Sequence, residues 1–537
     1  MKKNRKIIII VGVIIGLLVI GIVVFLMFKK NNFTTIDSSN DTNIDTTIDT
    51  SVKNSNSEYK ISDNALSSFD LYFMQKENNK KNKVYSPLSI KYALSMLKDG
   101  ADGDSKTQIE NIIGDYNPKK YMNSSNISLA NAMFIRNDYK KNIKDEYVNL
   151  LKERYNAEII YDAFETPSKI NKWISDKTLG LIPYMLDDTN GNLLFLVNAL
   201  GIDMDWKYVI QPVPEGTIYD EEHYSEPTPF SVSYPHENYY TGANWLDSNY
   251  YNYIKFNNQT LVNGLEIASS INNYDIVSEL GEENIRKTVG DAYDKWKAEG
   301  NCDPIDYEDT NTFLNRYIKE IDEGYKDVGS STDYSFYVDD DIKVFQKDLK
   351  SYNGLSLEYI GFMPKSTSLD KFVENIDTNK LNNYISKLKT IELNNFTKGK
   401  ITRITGLMPI FKFEYELNLQ KDLESLGVTN VFVPNHANLV NLSSDNSLYI
   451  SEAKHKTNIE FSNEGIKAAA VSMVGGWGDT GCYFEYKYDV PVEEIDITFD
   501  KPYMFIIRDK DSKEVWFAGT VYEPISCDES KTCLRNK

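Results

Sequence analysis
An uncharged apolar run over residues 7–28 constrains this chain more than any other feature. As a helix rising about 1.5 Å per residue it reaches roughly 33 Å, enough for the hydrocarbon core of a bilayer. Lys2, Lys3, Arg5 and Lys6 precede it, and only Lys29 and Lys30 follow. The positive-inside rule therefore places the N-terminus in the cytoplasm and the remainder outside the cell. A cleaved signal peptide is the rival reading; against it, the run is long and no small-residue cleavage site follows. Residues 1–30 are thus read as a cytoplasmic stub and membrane anchor. Residues 31–58, rich in Asn, Thr, Ser and Asp with no apolar period, are read as a disordered tether.

Composition narrows the body that the tether carries. There are 59 basic and 79 acidic residues, a net charge of −20. A phosphate-binding surface needs a basic footprint, so nucleic acid is not expected as a partner. Four cysteines in 537 residues are no disulfide framework, and four histidines leave little room for a histidine metal site. No metal and no cofactor are expected.

Periodicity predicts helices over residues 64–76, 145–155 and 168–178, and a further one opening at Ser86 and Pro87, which fit an N-cap and first helical position. Residues 126–136 read as a strand, and 193–200 as a buried one. Helices interleaved with strands early, and mostly strands after residue 400, indicate an α+β fold. Residues 226–331 are rich in Tyr, Asn, Asp and Glu, with helices expected near 283–298 and 311–325. They read as an insertion or small added domain between 59–225 and 332–524, with a tail over 525–537.

The known catalytic patterns are missing: there is no Gly-x-Ser-x-Gly elbow, HExxH helix, CxxC pair or phosphate loop. Ser95-x-x-Lys98, Ser444-Asp445-Asn446 and Lys456-Thr457-Asn458 imitate a penicillin-binding acyl enzyme. Ser95 sits beside an apolar helix face, however, and Asn458 stands where such a strand needs glycine. No catalytic residue is assigned.

The segment Asn463-Glu464-Gly465-Ile466-Lys467-Ala468-Ala469-Ala470-Val471-Ser472 puts a small-residue run after a glycine and an alternating stretch. It resembles the hinge of the reactive loop in the serpin family. Other segments resemble that family in the same order: Tyr85-Ser86-Pro87-Leu88-Ser89; Gly100-Ala101-Asp102-Gly103; Ile170-Asn171-Lys172-Trp173-Ile174; Leu196-Val197-Asn198-Ala199 with Trp206; Phe411-Lys412-Phe413; His455-Lys456; and residues 499–509 with Gly519-Thr520-Val521.

That resemblance implies an inhibitor that traps its protease: an exposed loop, here 463–491, is cut, its hinge side enters the main sheet as a strand, and a serine or cysteine protease is held covalently. It implies a hinge at Gly465, Ile466, Ala468, Ala469, Ala470 and Ser472, a polar shutter of Ser86, Ser89, Asn198 and His455, and a breach at Trp206. The inserting strand would bury Ile466, Ala468, Ala470 and Ser472, none of them charged. Two residues depart from the inhibitory pattern: Ile466 replaces a threonine or serine, and Asn463 an acidic residue. The reactive bond, counted fourteen residues beyond Gly465, falls at Asp479-Thr480, with Tyr483, Phe484 and Lys487 as alternative baits. Cys527 and Cys533 are expected to pair, while Cys302 and Cys482 stand apart in role. The expected partners are a target protease and, through the N-terminal helix, a membrane. The alternative is a non-inhibitory surface binding protein of the same fold.

Overall fold
A computed structural model of the chain describes residues 65–208, 239–244, 249–273, 277, 281–300, 307–324, 334–390, 401–462, 484 and 492–525. The apolar run 7–28, the hinge residues 465–472, the Asp479-Thr480 bond, and Cys527 with Cys533 lie outside them. Among the described residues no helix is long and apolar enough to cross a membrane.

The N-terminal part runs α1 (Ser68–Lys76), β1 (Lys83–Tyr85), α2 (Pro87–Gly100), α3 (Gly103–Ile113), β2 (Ile127–Arg136), α4 (Asp145–Tyr155), β3 (Glu158–Asp162), α5 (Ser168–Lys177) and β4 (Leu194–Ile202). Then come β5 (Tyr239–Asn244), β6 (Asn249–Phe256), β7 (Thr260–Asn273) and two helices, α6 (Glu282–Ala298) and α7 (Thr310–Gly324). The C-terminal part adds β8 (Tyr334–Val338), β9 (Ile342–Asp348), β10 (Leu357–Pro364), α8 (Leu369–Asn375), α9 (Thr378–Ser386), β11 (Ile401–Pro409), β12 (Phe411–Leu417), α10 (Leu419–Ser425), β13 (His455–Phe461), β14 (Val492–Asp496), β15 (Tyr503–Asp509) and β16 (Val515–Val521).

Four sheets result. The largest, in the order β1-β16-β15-β10-β9-β8, carries the centre of the core. Its strands β10, β15 and β16 are buried along their whole length, and two of the charges they carry there, Glu358 and Arg508, pair with each other at 2.7 Å. Gly519 is obligatory there: a Cβ would come within 2.2 Å of the Lys83 carbonyl and 2.6 Å of the Phe505 ring. A block of rings, Tyr359, Phe505, Phe411 and Phe461, joins this sheet to the two-stranded β12-β13 sheet, with neighbouring centroids 5.1–5.7 Å apart.

The stretch 226–331 divides. Strands β5 to β7 belong to a five-stranded sheet, β14-β11-β7-β6-β5, in which β7 pairs with Ile401–Pro409. The stretch expected as an insertion over 226–331 thus holds two parts, strands that join this sheet and the helical pair α6–α7, which packs around a separate small core.

The three-stranded sheet β3-β2-β4 shows the period of two directly. In β2, Ile127, Leu129, Met133 and Ile135 join the main core, while Ala130, Ala132 and Phe134 join a second layer under α5 with Ile170, Trp173 and Ile174. In β4, Leu200 and Ile202 face the core, and Val197 and Ala199 face α5. By this parity Asn131 and Asn198 fall on the core side, two amides set opposite each other across the strand pair.

Candidate functional site
Strand β4 is paired with β2 along one edge, and β13 with β12 along one edge. Among the described residues no strand is hydrogen-bonded to the other edge of either. Those two free edges share a seam. Its upper part is a cavity of about 20 Å³ between residues 200–202 and 458–460. Its lower part is a cavity of about 340 Å³ between 193–198 and 447–455, with Ile90, Ala93, Leu94 and Leu97 of α2 along its wall. Adjacent strands lie about 4.8 Å apart, so a strand placed in the seam needs β4 and β13 roughly 9.6 Å apart.

Side chains hold the seam. At its top, buried Trp206 donates its indole N–H to the Ser462 carbonyl at 3.0 Å, and its ring meets Phe461 at 5.5 Å and Tyr359 at 6.0 Å. Across the middle lies the segment that follows α5. There Asn458 donates to the Leu181 carbonyl at 3.0 Å, and the Lys456 ammonium sits 4.2 Å from the Tyr184 ring centre. The segment lies flat on β4 because Gly201 has no side chain; a Cβ would stand 2.8 Å from Thr178 backbone.

At the lower end a polar chain runs through the N-terminus of α2. Ser86 caps the helix, its hydroxyl accepting the Ser89 amide at 3.1 Å, and Pro87 takes the first turn where its missing N–H costs nothing. The Ser86 amide donates to Nε2 of buried His455 at 2.9 Å, and the Thr457 hydroxyl lies 2.9 Å from the same nitrogen. From Ser89 the hydroxyl reaches the Asn198 side-chain oxygen. Asn198 then donates to Asn131 at 2.8 Å, and Asn131 to the Tyr155 carbonyl at 2.8 Å. Because Nε2 accepts a backbone N–H, the imidazole is neutral with its proton on Nδ1. Burial drives its pKa down from 6.5 to about 4.

Ser86, Ser89, Asn198 and His455 are therefore brought into one hydrogen-bonded chain, and the link between the two halves of the sheet passes through α2. Asn131 and Thr457 were not anticipated from the sequence. An amide within the apolar stretch 127–135 was the available signal for Asn131. The serine–lysine resemblance has a structural explanation: the Ser95 hydroxyl donates to the Lys91 carbonyl and Lys98 reaches the Gly114 carbonyl, while Lys456 pairs with Glu414. No acyl-transfer site is assembled from them.

The family model "Serpin (serine protease inhibitor)" matches residues 62–214 and 330–524. The chain belongs to the serpin family. The leukocyte elastase inhibitor of Xenopus tropicalis is 23% identical over 483 residues, 85% of this chain and 97% of the relative. A serpin-like protein of Methanosarcina acetivorans is 25% identical over 498 residues, 87% of each chain. Among solved structures, the thermophilic serpin tengpin in its native state has a TM-score of 0.52 at 20% identity, covering 84% of this chain and 92% of tengpin. Thyroxine-binding globulin has a TM-score of 0.52 at 18% identity, covering 88% and 98%. The serpin fold is thus an α+β frame in this chain, with helices α6 and α7 falling between the two matched stretches.

Proposed function
We propose that this serpin is a membrane-anchored extracellular inhibitor that traps a serine or cysteine protease by inserting its cut reactive loop between β4 and β13. The observation that carries this reading is the seam itself: two strand edges, each without a backbone ladder among the described residues, beginning where β13 hands the chain to the loop. Each backbone bond an entering strand makes contributes about 1 kcal/mol net. Its core-facing residues, Ile466, Ala468, Ala470 and Ser472, are uncharged and mostly small, so entry buries no unpaired charge.

In the trapping step the protease nucleophile attacks the Asp479 carbonyl, an acyl bond forms, and the Thr480 amine leaves with a proton. Residues 463–479 are then tethered only at Ser462. Their entry beside β4 requires Trp206 to release Ser462, the segment 178–187 to lift, and the Ser86–His455 link to exchange partners. The acylated protease travels with the strand, and distortion of its site halts deacylation. The apolar run 7–28 holds this activity at the outer face of a membrane. Incubating the full-length protein with serine and cysteine proteases of differing specificity is the test. A protease–serpin adduct that survives boiling in detergent is expected with at least one of them. Loop cleavage without an adduct throughout the panel would reject inhibition and leave a binding protein.

A further inference from the structure
Helices α6 and α7 face each other across a small core of Ile285, Val289, Tyr293, Phe313, Leu314 and Tyr317, separate from the main core. The contact is close, since a Cβ on Gly290 would meet Leu314 at 3.2 Å. Tyr293 is its centre: it stacks on Phe313 at 4.1 Å and on Trp296 at 5.8 Å, and its hydroxyl donates to the Glu308 carbonyl at 3.1 Å. A ring from far along the chain joins this cluster. Phe484, from the reactive loop, lies 5.1 Å from Tyr293, 5.2 Å from Trp296 and 5.5 Å from Phe313. A pair of helices this small cannot cover its own apolar face, and here a loop residue completes the cover.

We propose that the α6–α7 pair is a clasp on the C-terminal arm of the reactive loop, and that its grip on Phe484 keeps an uncut loop from entering the seam whole. This rests on the insertion reading above. An uncut loop is fixed at both ends, at Ser462 after β13 and at Val492, where β14 pairs with Ile401. To fill the seam it must draw its C-terminal arm along and pull Phe484 away from three rings. A cut at Asp479-Thr480 falls before Phe484 in the chain, so the hinge arm is freed while the clasp stays closed. The insertion thereby separates the productive route from the wasteful one. A clasped ring is also withheld from a protease's specificity pocket, which counts against Phe484 as the bait.

The test compares full-length wild type with Phe484→Ala, Trp296→Ala and the double variant, using two measurements. Hydrogen exchange over residues 282–324 reads whether the loop ring supports the helices. The rate at which uncut protein converts on warming to a more heat-stable form reads whether the clasp restrains the loop. Each single substitution is expected to raise exchange in both helices and to speed conversion about tenfold or more, because each weakens the ring packing that holds position 484. The double variant should be no faster than the faster single. Unchanged exchange in Phe484→Ala, an unchanged conversion rate, or additive effects in the double variant would overturn the clasp. Neither measurement uses a protease, so a missing covalent adduct would count against inhibition and leave these results to judge the clasp.

Discussion
Acid should loosen the polar chain at the foot of the seam, and His455 gives the size of the effect. Its folded pKa is about 4 against an ordinary value of 6.5, with burial as the cause. Above about pH 6.5 the ring is neutral in both folded and unfolded chains, and the Ser86–His455 bond is intact. Between 6.5 and 4 the unfolded chain binds the proton and the folded one resists it, so stability falls as pH falls. At about 1.36 kcal/mol per pH unit the full loss is roughly 3 kcal/mol, of which about 2.5 kcal/mol is gone by about pH 4.5. A second buried group opposes it in the same window. Burial raises the Asp422 carboxyl to about 6, with the Glu77 charge adding to the effect, so acid stabilises the fold through that residue. The difference between wild type and His455→Gln isolates the histidine, because glutamine keeps an oxygen for the Ser86 amide and does not titrate. Urea unfolding followed from about pH 7 to pH 4.5 should show wild type losing about 2.5 kcal/mol relative to the variant. Parallel pH curves for the two proteins would refute the assignment of a neutral, amide-accepting Nε2.

Further outcomes follow from the seam and the loop. Ala468→Arg or Ala470→Glu should abolish adduct formation and leave loop cleavage intact, since an unpaired charge on the inserting face costs several kcal/mol; normal adduct yield in either would remove the inserting strand. Cutting the loop should raise the melting temperature sharply, and an equal or lower value would mean that the freed arm stays outside. Mass spectrometry of the C-terminal fragment from a denatured adduct should show Thr480 as its first residue, whereas Phe484, Glu485 or Tyr488 would move the reactive bond. Non-reducing peptide mapping should link Cys527 to Cys533. Free thiols at these two positions would reject that link.

Much of the frame was legible because local chemistry wrote it. Ser86 and Pro87 announce the start of α2, and β4 shows itself as an apolar run. The helices of the insertion were visible within a residue or two at their starts, as Glu282 and Thr310 now show. What stayed hidden depends on contacts between distant segments. Strands β5 to β7 carry few apolar residues in an obvious period, and only their pairing with β11 places them in the main body. Asn131 is polar in a strand whose neighbours are not, yet nothing local says that it meets Asn198. The meeting of Phe484 with Tyr293 joins two segments that give no sign of each other in sequence.

The route of the polar chain bears on how the molecule can change state. Had β4 and β13 been laced by a backbone ladder, parting them would cost a row of hydrogen bonds before any new strand could form. Here the halves are joined by the Trp206–Ser462 bond, the Asn458–Leu181 bond, the Ser451–Asn192 bond, and the run of three bonds from His455 through Ser86 and Ser89 to Asn198. Each bond is worth about 1 kcal/mol net, and the polar groups it joins can be satisfied again by the amides and carbonyls of an entering strand. The lower cavity, at about 340 Å³, already lacks the side-chain packing that would resist opening. Closure is thus held by a few replaceable bonds at known residues, with no ladder between the two edges among the described residues. A sheet built this way meets the structural requirement of the loop insertion proposed above.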